Sequence, residues 1–473
     1  MKKIIYGLTL VVFTMLAGCE KFTDIQPKGK NLLSSVNDLN MLLNEMYSDF
    51  YSPRATTLTS VVYFTDIGIL ANEPIKTFNH ALLFWDETID RAALRPTCNV
   101  YEPIYRLIGR TFNPVIAKAD GASGDRKLAN RYKAEALVLR AWFHYLSANY
   151  FAKAYNPATA STDGGVPYLL ETDLISQPIK KYTVAETYDL MLKDLDAAFK
   201  LDALPNEGVN KQRVGKAFAY AVQARVLLSM RRYEEALVAA RASLAINNHI
   251  DDHNQMLIDY PLAVGSPTPK IWSRPAFSSR EDLFNVPSSP TFCWHAPEVL
   301  DIFETNSVLQ NYMPTQGKIS LPYDLGDYFG MPGVLGVWDL RATSEISAAG
   351  LTSVDMRLVE AECLLHLDEV SDAKDKLEEI REKRIITDLY APSTASAKQQ
   401  VFKLLKQLYR SENWCTLKDL IDLKRWNTYP EYAENLYRTI LGTTYTLTPE
   451  SKLWIWPFPQ SATNLNPGLT QNY

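Results

Sequence analysis

Residues 132–150 read YKAEALVLRAWFHYLSANY, and within them Tyr132, Ala136, Leu139, Phe143, Leu146 and Tyr150 recur at alternating steps of four and three. That spacing lays one apolar stripe along an α-helix. Ala134, Ala141 and Ala148 add a row of small residues every seven positions, which lets a second helix approach closely. The expected fold is mainly α, with helices packed side by side.

The neighbouring sequence extends the pattern. Thr183 is placed to cap a helix over residues 184–200, with Glu186 completing a capping box and Tyr188, Met191, Leu195 and Ala198 facing inward. Pro205 and Gly208 then interrupt the chain. From Gly215 to Asn248 the pattern predicts two antiparallel helices, in which Ala224, Leu227, Tyr233, Ala236 and Ala240 fit tetratricopeptide spacing. A second pair is predicted over Val354 to Arg384, with Ala361, Leu364, Ala373, Leu377 and Ile380 in the equivalent places. Together these give tetratricopeptide-like helical pairs in an α-solenoid-like body.

Between the pairs the character changes. Residues Pro261 to Pro332 hold ten of the 26 prolines and show no sustained helical period, so this stretch is expected to form loops and short irregular elements. Its many rings need burial or a ligand, and an ordered insertion on a rigid scaffold is a usual place for a binding site. Flat aromatic rings stack on the C–H face of a sugar while polar neighbours satisfy its hydroxyls. The candidate ligand-binding rings are Trp85, Trp272, Trp294, Tyr312, Tyr323 and Trp338, with Tyr63 a further ring on non-helical chain. For each, the other reading is the core of a loop-rich subdomain. Trp142, Trp414, Trp426, Trp454 and Trp456 read as packing residues.

The chain's 473 residues, 47% hydrophobic and 22% charged, suffice for a large folded body, and the net charge of −5 argues against nucleic acid as a partner. At the amino end, Lys2 and Lys3 precede an apolar run from Ile4 to Leu16. Thirteen helical residues reach about 20 Å, too short for a hydrocarbon core of about 30 Å, so the run reads as an export signal. It ends in Leu16-Ala17-Gly18-Cys19, the small-residue approach to a cysteine that lipoprotein processing needs. Cys19 is therefore the expected lipidation site, acylated as by palmitate, and loss of residues 1–18 takes the formal charge from −5 to −7. Two or three acyl chains would hold the protein on a membrane by lipid alone.

Catalytic signatures do not emerge. There is no GxSxG elbow, P-loop or GxGxxG fingerprint, and Gly330 to Gly336 reads as a flexible loop without a phosphate-binding Lys or Ser/Thr. His249 and His253 would suit a metal if helical, but the preceding helix ends at Asn247-Asn248, so they read as solvated loop residues. No C-x-x-C pair occurs, and Cys363 reads as a buried small hydrophobe. Neither a cofactor nor a metal is expected.

Several segments in order resemble the SusD/RagB family of outer-membrane nutrient-binding lipoproteins. They are Cys19-Glu20-Lys21-Phe22-Thr23-Asp24-Ile25-Gln26-Pro27, Ala134 to Ala141 with the aromatic run Trp142 to Tyr150, and Gly164-Gly165-Val166-Pro167. Tyr182 to Leu204, Asp422-Leu423-Lys424-Arg425-Trp426 and Asn466-Pro467-Gly468-Leu469-Thr470-Gln471-Asn472 complete the series. The resemblance implies a non-enzymatic lipoprotein on the exterior of the outer membrane. It implies capture of an oligosaccharide or peptide and delivery to a SusC-like TonB-dependent transporter. Two rival readings are a tetratricopeptide-type surface adaptor that binds only protein and, less well supported, a glycoside hydrolase. The expected division is a signal peptide (1–18), a lipidated tether (19–31), an N-terminal helical part (32–249), a loop-rich candidate binding insert (250–345) and a C-terminal helical part (346–473).

Overall fold

The computed structural model describes residues 33–44, 58–59, 76–170, 179–259, 279–286, 294–295, 297–312, 323–324, 335–338, 347, 349–414, 416–440 and 442–473. Four short helices, α1 (Val36–Leu43), α2 (Phe78–Leu83), α3 (Tyr101–Leu107) and α4 (Asn113–Lys118), lead into the long α5 (Arg126–Phe151). Strands β1 (Gly164–Pro167) and β2 (Lys181–Thr183) pair antiparallel and precede α6 (Val184–Lys200). The capping box holds: Thr183 Oγ1 accepts from the Glu186 amide, and Glu186 Oε2 accepts from the Thr183 amide.

The stripe of α5 is buried along its length, as is the alanine row of residues 134, 141 and 148, and α6 packs along it. Two charges of this helix, Glu135 and Arg140, are buried as well. Arg140 donates two bonds to the Asp194 carboxylate of α6, at 2.7 and 2.6 Å, and a third to Asn113. Glu135 accepts from Arg131 and Arg213. Such pairs are retained only where geometry compensates for the lost hydration.

His144, also on α5, is fully buried and stacked on Tyr168 with ring centroids 3.7 Å apart. Its Nε2 accepts from the Leu169 amide, and its Nδ1 donates to the Arg140 carbonyl, which fixes a neutral imidazole. Burial pulls its pKa down from 6.5 to about 3. Between those values the unfolded chain binds the extra proton, so stability is expected to fall as pH drops from 6.5 towards 3, by on the order of 4 kcal/mol. Urea unfolding at several pH values should show this slope in the wild type and a shallower one in His144→Gln.

The first predicted pair forms as α7 (Lys216–Ser229) and α8 (Tyr233–Leu244). The second forms as α11 (Ser353–His366) and α12 (Val370–Arg384), after the intervening elements α9 (His253–Asp259), β3 (Asp282–Phe284), β4 (Trp294–His295), α10 (Val308–Tyr312), β5 (Tyr323–Asp324), β6 (Leu335–Trp338) and β7 (Leu351–Thr352). Helix α8 packs directly on α11, so the two pairs form one continuous stack. Tyr233 stacks on His366 at 4.1 Å, and Arg241 bonds Glu360 at 2.9 Å across the same contact. Cys363 is fully buried here, as read from the sequence, and burial pushes its thiol pKa up.

Helices α13 (Lys398–Asn413) and α14 (Leu417–Trp426) close the stack. The Asp-Leu-Lys-Arg-Trp element lies on α14, with every side chain buried. Arg425 donates to both carboxylate oxygens of Glu362, at 2.6 and 2.8 Å, and to Asp422 at 3.0 Å. Asp422 in turn faces Arg225 of α7, and Trp426 Nε1 bonds Glu362 Oε1. Lys424 donates to the carbonyls of Asn149 and Ala152 at the end of α5. One short run of sequence thus ties three helices to α14.

The chain then leaves the helical pattern. Strands β8 (Leu436–Ile440) and β9 (Thr443–Leu447) form a hairpin, and α15 (Gln460–Thr463) precedes an extended tail. In that tail Asn472 Nδ2 donates to the carbonyls of Phe151 and Gly165. A Cβ on Gly164 would lie 2.3 Å from Asn472 Oδ1, so a larger residue there would displace the Asn472 side chain. The Trp142, Trp414, Trp426, Trp454 and Trp456 rings are all buried, as their helical or signature context predicts. One apolar core runs from Val36 to Leu469.

Candidate functional site

The insert is held at its root by paired strands. Strand β3 pairs antiparallel with β7, Asp282 opposite Thr352 and Phe284 opposite Leu351. Phe284 stacks on Phe218 of α7 at 4.5 Å, while Trp142 Nε1 of α5 bonds the Ala349 carbonyl at 2.7 Å. A Cβ on Gly350 would meet the Phe284 carbonyl oxygen at 2.0 Å, so glycine is required where the two ends of the insert meet. The Val286 amide donates to Ser347 Oγ at 3.1 Å, closing the base.

A second anchor docks residues 297–312 on the stack. Glu304 accepts two bonds from the Arg381 guanidinium of α12, at 2.9 Å each, and Phe303 meets Trp414 edge-on at 5.7 Å. The 3₁₀ turn Pro297–Ile302 touches both β6 and α13. It carries a three-stranded antiparallel sheet in the order β4-β6-β5. In its register Trp294 is the partner of Trp338, and Tyr323 is the partner of Gly336. The glycine-rich stretch read as a flexible loop therefore enters a strand at Leu335 and Gly336.

Three of the six candidate rings thus lie on one small sheet, and Tyr312 ends α10. Trp85 does not join them. It is buried with its indole N–H bonded to the Leu58 carbonyl at 3.0 Å, and the Arg438 guanidinium lies 4.4 Å over its ring. Protein already occupies its edge and one face, so the sequence reading of Trp85 as a ligand platform is corrected to packing. Trp272, Tyr63 and the lipidation residue Cys19 lie outside the described residues.

Beside the root lies a polar cavity of about 90 Å³ that the sequence did not disclose. Asp251, Glu281, Asp282, Asp355 and Glu412 line it, with Arg384 and Lys418 among them and Asn413 at its wall. Arg384 bonds Glu281 at 2.8 Å and both oxygens of Glu412, while Lys418 bonds Asp355 at 2.6 Å. Burial pushes the Glu281 carboxyl up to about 7, the charges of Asp251 and Glu412 adding to the effect and Arg384 opposing it. These residues come from distant parts of the chain and are of common types, so spacing gave no signal.

His249 and His253 border this cluster, which corrects their reading as solvated loop residues. Both are half-buried; His249 Nε2 pairs with Asp251 at 2.9 Å, and His253 opens α9. Among the described residues no group of three or more His, Cys, Asp or Glu is arranged to hold a metal ion.

Comparison with known proteins fits this architecture. A family described as starch-binding associating with outer membrane matches residues 21–228, and the SusD family matches residues 354–473. The chain belongs to the SusD/RagB family. A SusD superfamily protein from Bacteroides thetaiotaomicron is similar over 93% of this chain and 100% of its own, with a TM-score of 0.66 and 15% identity. A SusD-like carbohydrate-binding protein from Bacteroides vulgatus covers 92% of this chain and 97% of its own, with a TM-score of 0.63 and 17% identity. A SusD superfamily protein from Bacteroides fragilis gives 0.63 and 16%, covering 93% and 100%. At these identities the likeness establishes the fold. No curated protein matches the chain. The two matched stretches of this SusD-family chain flank residues 229–353, the interval that holds the paired-strand root and the small sheet. Among the described residues no helix is long and apolar enough to cross a membrane.

Proposed function

We propose that this SusD-family protein is a non-catalytic lipoprotein of the outer membrane, anchored by acyl chains on Cys19 and facing the cell exterior. It captures an oligosaccharide, or a peptide, and delivers it to a SusC-like TonB-dependent transporter. Family membership supports the reading, as does the name of the Bacteroides vulgatus relative, a carbohydrate-binding protein. The observation that carries the ligand site is the register of the insert sheet, in which Trp294 stands opposite Trp338 with Tyr323 on the adjoining strand. Aromatic residues gathered on one element offer the stacking surface a sugar ring needs. Trp272 and Tyr312 complete the proposed ring set.

The test uses the detergent-extracted lipoprotein on a glycan and peptide array, with co-purification from native membranes. Wild type is expected to bind a glycan or peptide class, to incorporate labelled palmitate and to bring down a large β-barrel protein. Trp294→Ala with Trp338→Ala is expected to weaken binding by tenfold or more, the scale of about 2 kcal/mol typical when a buried aromatic anchor is truncated. A protein that bound only other proteins, with no ligand on the array and no barrel, would instead be the adaptor. Turnover of an arrayed glycan would make it a hydrolase.

A further inference from the structure

The cavity at the insert root holds a buried polar group that no described residue satisfies. Asn413 is 1% exposed and lines the cavity, yet among the described residues its Nδ2 has no hydrogen-bond partner. A buried amide donor left unpaired is costly, so natural structures rarely keep one without water or a ligand to accept from it. The groups around it narrow what that acceptor is. Both cations of the lining are engaged by protein carboxylates, Arg384 by Glu281 and Glu412, and Lys418 by Asp355. Five carboxylates stand against those two cations.

An incoming acid group would find no guanidinium released to meet it and would face like charge in a poorly solvated space. A hydroxyl suits the site better, because it accepts from Asn413 and donates to a carboxylate or to a side-chain oxygen of Ser411 or Thr416 at the same wall. Size fixes how much of a ligand enters. A volume of about 90 Å³ is room for a few waters or for the hydroxyl-bearing end of a ligand.

We propose that this cavity seats one hydroxyl-bearing end of the captured ligand, that Asn413 donates to that hydroxyl, and that the carboxylate lining rejects acidic sugars. The inference rests on the glycan reading above and narrows it to non-acidic saccharides.

The experiment compares neutral oligosaccharides (malto-oligosaccharides, β-glucan and xylan fragments) with oligogalacturonides on the full lipoprotein, alongside Asn413→Leu and Asn413→Gln. The wild type is expected to bind at least one neutral class and no oligogalacturonide. Asn413→Leu is expected to lose tenfold or more in affinity while its Tm stays equal or rises, since a donor held for a ligand does not support the empty fold. Asn413→Gln should restore part of the binding. Unchanged affinity in Asn413→Leu, or oligogalacturonide binding as tight as neutral binding, overturns the proposal and leaves the capture function standing. A lowered Tm with full binding assigns Asn413 a structural role and also overturns it. A liganded crystal structure showing the cavity filled by water alone does the same. No saccharide binding at all by the wild type overturns the glycan reading itself, and this inference with it.

Discussion

Glu362→Ala is expected to destabilise the protein by about 3–5 kcal/mol, the usual cost of removing one partner from a buried ion pair. Glu362 is fully buried between α11 and α14 and accepts three hydrogen bonds, two from Arg425 and one from Trp426. Without it Asp422 is left to compensate both Arg425 and Arg225, two guanidinium groups in a space almost closed to water. The carboxyl's acid strength reports the same interaction. Burial alone would raise its pKa, but the charge of Arg425 reverses this and holds it well below the usual range. Its stabilisation is therefore present above pH 4.5 and lost as pH falls further. Denaturant unfolding at pH 7 is the measurement. The double variant Glu362→Leu with Arg425→Met leaves Arg225 and Asp422 balanced one to one, so it should be less destabilised than the two single changes summed. A cost below about 1 kcal/mol for Glu362→Ala, as for an exposed pair, would show that the network does not hold the stack together.

Lys424→Met should be the second large effect, and its size should depend on pH. The Lys424 ammonium serves the carbonyls of Asn149 and Ala152, at the end of α5, where a helix has no partners of its own to offer. Methionine keeps the length of the side chain and removes the donors. Two buried carbonyls lose a partner at about 1–3 kcal/mol each, so a loss of about 2–6 kcal/mol is expected. Burial pulls the lysine pKa from 10.5 down to about 7 in the fold. Between pH 7 and 10.5 the unfolded chain keeps the proton while the folded chain releases it, so wild-type stability gains with pH in that window. A neutral amine still donates both bonds. The deficit of Lys424→Met should therefore be larger at pH 9 than at pH 6, and an equal deficit at both would contradict the assigned pKa.

The helical stack was legible because its signals are periodic and local. The α5 stripe, the Thr183 capping box and the two tetratricopeptide-like pairs each follow from spacing within about 30 residues, and each formed where expected. The family-like segments that lie within the described residues form one contact network. Arg140 of the second pairs with Asp194 of the fourth, Lys424 of the fifth holds the end of the aromatic run, and Asn472 of the last closes on Gly165 of the third. Sequence order revealed the family but not that these segments touch, since a three-dimensional contact leaves no period. The C-terminal part was read as helical, yet a hairpin and extended tail follow Trp426; their pairing depends on register rather than on helical spacing.

The site was less legible. Non-helical context marked Trp294, Tyr323 and Trp338, and strand pairing brings those positions onto one sheet. The same criterion chose Trp85, which fails because a turn residue can face inward as readily as outward; its φ of +48° turns the chain beneath Arg438. Asn413, Arg384 and Glu412 carried no signal, as ordinary polar residues whose meeting depends on how α12 and α13 lie together.

The clamp at Val286 and Ser347 has a consequence for how this fold diversifies. With both ends of the projecting chain fixed to the same ledge, its closure entropy depends only weakly on its length, about 0.6 kcal/mol for each doubling. Residues can be gained or lost beyond that point with little strain on the helices below. The platform can thus stay constant while selection rewrites the segment it carries.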